Sequence, residues 1–146
     1  MILACAGSGA TTTQPEGQPV PFTTLAQAAV AGQSGGAVAE VIRDDARYRA
    51  LWAELRVGSG LAETPPAVDF LRQMVIAVAL PTQGCVAKVT VQAITGDATG
   101  LRVDVLERYP GSSCRCIASS RPFHLVALAR RPDPVRFNPT RGTDTC

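Results

Sequence analysis

The stretch "MVIAVALPTQGCVAKVTVQAITGDATGLRVDVL", residues 74–106, decides how this chain folds. Residues 74–80 are apolar throughout, which is typical of a central strand covered on both faces. Residues 85–94 alternate between apolar and polar side chains, so their odd-numbered positions are expected to face the core. The Gly and Asp content of 95–100 predicts a hairpin loop, after which 101–105 continue the apolar face. Three consecutive strands therefore form the centre of the predicted fold.

The segments on either side of this stretch add more strands and one helix. Thr23–Ala31 and Ala37–Arg43 are predicted strands separated by the turn residues "GQSGG". Asp44 is a predicted helix N-cap, because the apolar residues after it recur at helical spacing, at Tyr48, Leu51, Trp52 and Leu55. "RPFHLVALAR", 121–130, is the predicted closing strand. The expected fold class is α+β and mainly β, a small, mostly antiparallel sheet or sandwich with one packed helix.

The length of 146 residues predicts a single domain. Residues 1–21 are interpreted as a truncated N-terminus followed by a flexible stalk, because residues 7–21 are rich in Gly, Ser, Thr, Gln and Pro. Residues 22–131 form the expected globular domain. The proline-rich segment 132–146 is predicted to be an irregular tail.

The charge of the chain argues against a nucleic-acid partner. The net charge is +2, from 14 basic and 12 acidic residues. All the basic residues but Lys88 are arginines, and they are scattered along the sequence with no cluster dense enough to follow a phosphate backbone. No apolar run reaches the length of about 18 residues that a membrane-spanning helix needs.

Cys5 is a candidate lipidation site. The residues "MILAC" are similar to the end of a bacterial lipoprotein signal, in which a small residue precedes the cysteine that becomes lipidated. Only four residues precede Cys5, whereas a signal needs an apolar stretch of about 7–15 residues, so we interpret the N-terminus as truncated. The chain is accordingly expected to be exported, to the periplasm or cell surface, with membrane contact only through this lipid.

The other four cysteines are candidate disulfide partners. Cys85, Cys114, Cys116 and Cys146 form an even set, which suggests two disulfides in an exported protein. Cys114 and Cys116 in an extended segment stand at the long end of disulfide range, about 6.5–7 Å between their α-carbons. The preferred connectivities therefore join Cys85 to either Cys114 or Cys116, with Cys146 taking the other.

A zinc site or a catalytic thiol is the alternative use of these residues. Cys85, Cys114, Cys116 and His124 form a chemically sensible Cys₃His set, but the C-x-C spacing differs from the usual zinc knuckle. His124, the only histidine, lies within a predicted strand, where a structural role is more common than a catalytic one. We predict no catalytic residue, no bound metal and no cofactor.

Three short motifs make this chain resemble the C-terminal domain of the PrcB-like family, named after a subunit that stabilises a bacterial surface protease complex. They are Val68-Asp69-Phe70 before the apolar strand, Pro81-Thr82-Gln83-Gly84-Cys85 in the following turn, and Arg121-Pro122-Phe123-His124-Leu125-Val126 in the late strand. The resemblance covers residues 66–130. Cys85 stands where the family's turn has an aromatic residue.

The resemblance implies a non-enzymatic domain that binds or stabilises another envelope protein, with a protease as one candidate partner. The turn formed by Pro81, Thr82, Gln83 and Gly84 is a candidate binding turn. It is also similar to a loop of chagasin-like protease inhibitors, which makes an inhibitor a second hypothesis. A Cys/His metal-binding protein is the third.

Overall fold

The computed structural model describes residues 17–31, 34–84, 87–116, 118–132 and 134–146. Its elements are, in chain order, β1 Gln18–Pro19, β2 Phe22–Ala31, β3 Val38–Ile42, α1 Asp45–Arg56, β4 Gln73–Ala79, β5 Lys88–Asp97, β6 Gly100–Pro110, β7 Ser120–Ala129 and β8 Val135–Asp144. The fold class is α+β and mainly β, as predicted.

The strands form two four-stranded sheets that pack as a sandwich. The first sheet has the order β1-β5-β6-β8, and the second has the order β2-β7-β4-β3. All neighbouring strands are antiparallel except β6 and β8, which run parallel. Residues of the edge strands β3 and β8 line one common pocket, so these two strands lie on the same side of the sandwich.

Alternate residues of the facing strands fill the space between the two sheets. Strand β4 contributes Met74, Ile76 and Val78 from the second sheet, and β6 contributes Val103 from the first. Residues 74–79 are buried along their whole length, because β4 lies between β7 and β3 and is covered by the first sheet on one face and the helix on the other. The prediction of a central strand covered on both faces is confirmed.

Helix α1 covers the outer face of the second sheet. Asp44 caps it, its carboxylate accepting a hydrogen bond from the Arg47 amide at 2.8 Å, as the sequence predicted. Its buried residues are Tyr48, Leu51, Trp52 and Leu55. The Trp52 indole N–H donates to the Ala62 carbonyl, and the Tyr48 hydroxyl donates to the Pro66 carbonyl, so the helix also holds the loop that leads to β4.

Two predictions for the ends of the chain were wrong in part. Residues 135–144 form β8, although the prolines of the segment 132–146 suggested an irregular tail. Proline is tolerated there because β8 is an edge strand. At the other end, Gln18–Pro19 lies within the expected stalk but pairs with β5 as β1. Residues 1–16, the rest of that stalk, lie outside the described residues.

The buried side chains of β5 are at odd-numbered positions in its first half and at even-numbered positions after its middle. Its pairing with β6 shifts between Val91 and Ala93, so Gln92 is an extra residue in the strand. Val89 and Val91 are buried as expected, but beyond the bulge Ile94 is buried and Ala93 is only half-buried. The assignment of Ala93 to the core face was therefore wrong.

Candidate functional site: a groove between two edge strands

An apolar groove of 410 Å³ opens between edge strands β3 and β8. Its floor consists of core residues from both sheets, including Val78, Val89 and Val105. Its walls are Ala37 to Ala39 on the β3 side and Phe137 and Pro139 on the β8 side. Strand β3 has only five residues and small side chains at this point, so the two sheets do not close over the core along this side.

One rim of the groove is charged and aromatic. Arg141 pairs with Glu107 at 3.2 Å, and its guanidinium carbon lies 5.3 Å from the centre of the Tyr109 ring. Arg141 remains largely exposed, whereas the Glu107 side chain is mostly buried. Burial and the Glu107 carboxylate both raise the pKa of the Tyr109 hydroxyl, so this phenol is neutral at physiological pH. The rim offers a cation and a hydrogen-bonding phenol beside apolar surface.

The predicted binding turn forms one end of this groove. Thr82 is held to the loop before β3, because its hydroxyl oxygen accepts from the Gly35 amide at 2.9 Å and its amide donates to the Gly35 carbonyl. Gln83 pairs with Ser120 through both backbone hydrogen bonds. Pro81 and Gln83 line the groove, while Pro81 and Gly84 are exposed. A chagasin-like inhibitor would need this turn to reach into a protease cleft, but its middle residues are fastened to the fold.

His124 bridges the two sheets and is 2% exposed. Its Nδ1 accepts a hydrogen bond from the Val91 amide at 2.8 Å, beside the β5 bulge, and its Nε2 lies 2.9 Å from the Thr24 hydroxyl. This arrangement fits a neutral ring with the proton on Nε2. Burial lowers the pKa of His124 below its usual range, which also favours the neutral ring. The histidine therefore serves the structure, as its place in a strand suggested.

The three cysteines among the described residues all take part in disulfide bonds. Cys114 is bonded to Cys146, with 5.3 Å between their α-carbons, which ties the segment after β6 to the end of β8. This bond belongs to one of the two connectivities that the sequence left open. Cys116 is also disulfide-bonded. Cys5 and Cys85 lie outside the described residues, so the lipidation of Cys5 and the pairing of Cys85 stay predictions.

The Cys/His metal hypothesis loses three of its four ligands in this arrangement, because Cys116 is disulfide-bonded as well. The Cys114 sulfur is committed to Cys146, and His124 Nδ1 is committed to a backbone amide. Within the described ranges, no three His, Cys, Asp or Glu side chains come together in a way that could hold a metal ion.

The helix in the described part of the chain is too short and too polar to cross a membrane.

The sequence did not predict the β8 wall of the groove. Phe137, Pro139 and Arg141 were assigned to an irregular tail, although Val135, Phe137 and Pro139 alternate with polar residues in the manner of a strand. That alternation was the available signal.

No protein-family model, curated protein sequence or solved structure matches this chain. The PrcB-like resemblance therefore stays a hypothesis that rests on the three short motifs.

Proposed function

We propose that this chain is a non-enzymatic, exported domain that binds and stabilises another protein at the bacterial cell envelope. The observation that carries the proposal is the groove between β3 and β8, where apolar core residues form the floor of an open groove between two sheet edges. Among the described strands, none pairs with the outer edge of β3 or of β8. Such an edge can accept an extended segment by backbone hydrogen bonds, while adjoining pockets take its alternate side chains.

Two further features support a binding role in an exported protein. The Cys114–Cys146 bond is of the kind that persists in oxidising compartments. The Glu107, Tyr109 and Arg141 rim gives polar specificity beside an apolar floor, which is the usual composition of a recognition site. We expect the partner segment to pair with β3, because the proline in β8 removes a backbone donor from that wall. The partner is another envelope protein, with a protease as one candidate.

The test is site-specific photo-crosslinking in the native host. A photoreactive residue at Ala39, an exposed groove position, is expected to capture one envelope protein, whereas the same residue at Ala53 on the exposed face of α1 is not. Adding Ala37→Arg, which places a long charged side chain in the groove, should abolish the crosslink without unfolding the domain, as judged by circular dichroism. Equal crosslinking from Ala39 and Ala53, or a crosslink that survives Ala37→Arg, would contradict the proposal.

A further inference from the structure

Three arginines that are distant in sequence line one basin at the end of the sandwich. The basin has a volume of 740 Å³, and its walls are Arg43, Leu71, Arg72, Arg130 and Pro132. We call this surface the arginine basin. Arg43 follows β3, Arg72 precedes β4 and Arg130 follows β7, so the antiparallel pairing of these three strands brings them to the same end. Arg131 lies beside it, since its carbonyl accepts a hydrogen bond from the Arg43 guanidinium at 2.6 Å.

Of the described residues that line the basin, none carries a carboxylate. Arg43 donates to a backbone carbonyl, and Arg130 likewise donates to the Phe70 carbonyl at 2.5 Å. The nearby carboxylate of Asp69 accepts from the Leu71 amide and lies 3.8 Å from Arg72, whose side chain is 87% exposed. Asp133 lies outside the described residues. Among the described residues, the hydrogen-bond partners of the Arg43 and Arg130 guanidiniums are thus backbone carbonyls, which leave the two positive charges in place.

The side chain of Leu71 projects into solvent beside these arginines. It is 89% exposed, in contrast to the apolar residues of the neighbouring strand. The turn that carries it is fixed, because the Asp69 carbonyl accepts from both the Arg72 and Gln73 amides. A fixed turn that presents an apolar side chain between arginines has the composition of a surface that sits at the boundary of acyl chains and anionic headgroups.

The start of the described chain lies at the same end of the molecule. Gln18 pairs with Gly96, and the Arg131 guanidinium occupies the space that a Cβ on Gly96 would need. The groove rim at Glu107 and the Cys114–Cys146 bond are at the far ends of β6 and β8, away from the basin. A membrane at the basin would therefore leave the groove rim facing away from the lipid.

We propose that the arginine basin docks on the surface of an anionic lipid bilayer, with Leu71 entering the headgroup region. A shallow, open basin favours a broad anionic surface over a small enclosed anion, and the exposed leucine favours lipid over a nucleic acid. This contact is additional to any lipid on Cys5 and does not depend on it.

The experiment is vesicle co-sedimentation of the full chain carrying Cys5→Ser, so that no lipid can be attached at that position. Vesicles that contain phosphatidylglycerol are compared with vesicles of phosphatidylcholine alone. We expect binding only to the anionic vesicles, weakening with added salt. Arg72→Gln should lower the association constant about fivefold, since one arginine near such a surface contributes about that factor. Leu71→Ser should also weaken binding.

Arg115→Gln is the matched control, because it removes the same charge from an exposed position near the opposite end of the sandwich. It should leave vesicle binding unchanged. The proposal is overturned if neither vesicle is bound, if neutral vesicles bind equally, or if Arg115→Gln weakens binding as much as Arg72→Gln. It is also overturned if inorganic phosphate or duplex DNA binds with the same dependence on Arg72 and displaces the vesicles. Crosslinking from the groove at Ala39 is measured separately, so either proposal can fail alone.

Discussion

The guanidinium of Arg121, which is 2% exposed, donates to a carboxylate oxygen of Glu54 at 2.9 Å and so joins the second sheet to helix α1. The same guanidinium donates to the Gly36 carbonyl at 2.8 Å, which also fastens the loop before β3. One buried side chain thus holds together a strand, the helix and the loop beside the groove. Because a buried charge without partners is costly, these contacts are expected to matter for stability.

Removal of the Glu54 carboxylate should destabilise the domain more than its half-exposed position suggests. Glu54→Ala leaves the Arg121 charge buried beside the Gly36 carbonyl, so we expect the free energy of unfolding to fall by about 1–3 kcal/mol. Glu63→Ala, at an exposed position in the following loop, is the control and should change it by less than about 0.5 kcal/mol. Urea denaturation measures both, and equal effects would contradict the role assigned to Arg121.

Adding Arg121→Met to Glu54→Ala should recover part of the lost stability. Methionine fills a similar volume and needs no charged partner, so the double variant removes the cost of an uncompensated buried charge. If the double variant loses more free energy of unfolding than the two single variants lose together, the buried charge is not the source of the destabilisation.

Two adjacent glycines should respond oppositely to alanine. A Cβ on Gly35 would overlap the Arg121 guanidinium, whereas a Cβ on Gly36 would meet open space. Neither glycine has a positive φ. We expect Gly35→Ala to cost about 1–3 kcal/mol through overpacking. Gly36→Ala should be neutral or should stabilise by about 0.4–1 kcal/mol, through lower entropy of the unfolded chain. Thermal denaturation compares the two, and equal midpoints would show that Arg121 moves aside freely.

The stability of the domain should depend on pH through His124. Burial lowers the pKa of His124 in the folded state below its usual value of about 6.5, so the unfolded chain binds a proton more readily. The contribution of the neutral His124 ring to the free energy of unfolding is therefore fully present above about pH 6.5. It is lost as the pH falls from there through the lowered pKa of the folded state. Denaturation midpoints measured between neutral and mildly acidic pH should fall accordingly.

His124→Asn identifies the source of that pH dependence. The Asn side-chain carbonyl can accept the Val91 amide but does not titrate. The variant is expected to be less stable at neutral pH and to lose most of the decline below about pH 6.5. A decline equal to that of the unmodified chain would assign the pH dependence to other groups.

Loss of the Cys114–Cys146 bond should destabilise the domain by about 3–4 kcal/mol, the chain-entropy expectation for a loop of this size. The double variant Cys114→Ser, Cys146→Ser tests this by chemical denaturation. Ser112→Ala with Thr145→Ala changes exposed neighbours in the same two segments and is the control. If the serine variant and the control have the same free energy of unfolding, the disulfide bond contributes nothing to stability.

A non-reducing tryptic peptide map should show Cys116 joined to Cys85. Trypsin cleaves after Arg115, so Cys114 and Cys116 fall in different peptides and their partners can be read separately. This pairing follows from the predicted pair of disulfides once Cys114 is assigned to Cys146. A peptide that links Cys116 to Cys5 would instead remove the lipidation hypothesis for Cys5.

The sequence determined the local elements, because the signals for them are local. Helical spacing and the Asp44 cap predicted α1, and the apolar run 74–80 predicted a strand covered on both faces. Side-chain alternation depends only on the pleat of a single strand, so the faces of β6 were also correct. The even set of cysteines indicated disulfides, although not which residues are paired.

The tertiary structure decided which strands and which residues become neighbours. The β5 bulge shifted the core face from Ala93 to Ile94, and pairing with β6 turned the proline-rich segment into β8. The groove exists because two edge strands from different sheets meet along one side. The arginine basin exists because three strands end at one place, although the sequence shows only scattered arginines. Periodicity specifies the face of each residue, but strand order is set by contacts between residues far apart in the chain, and those contacts leave no local pattern.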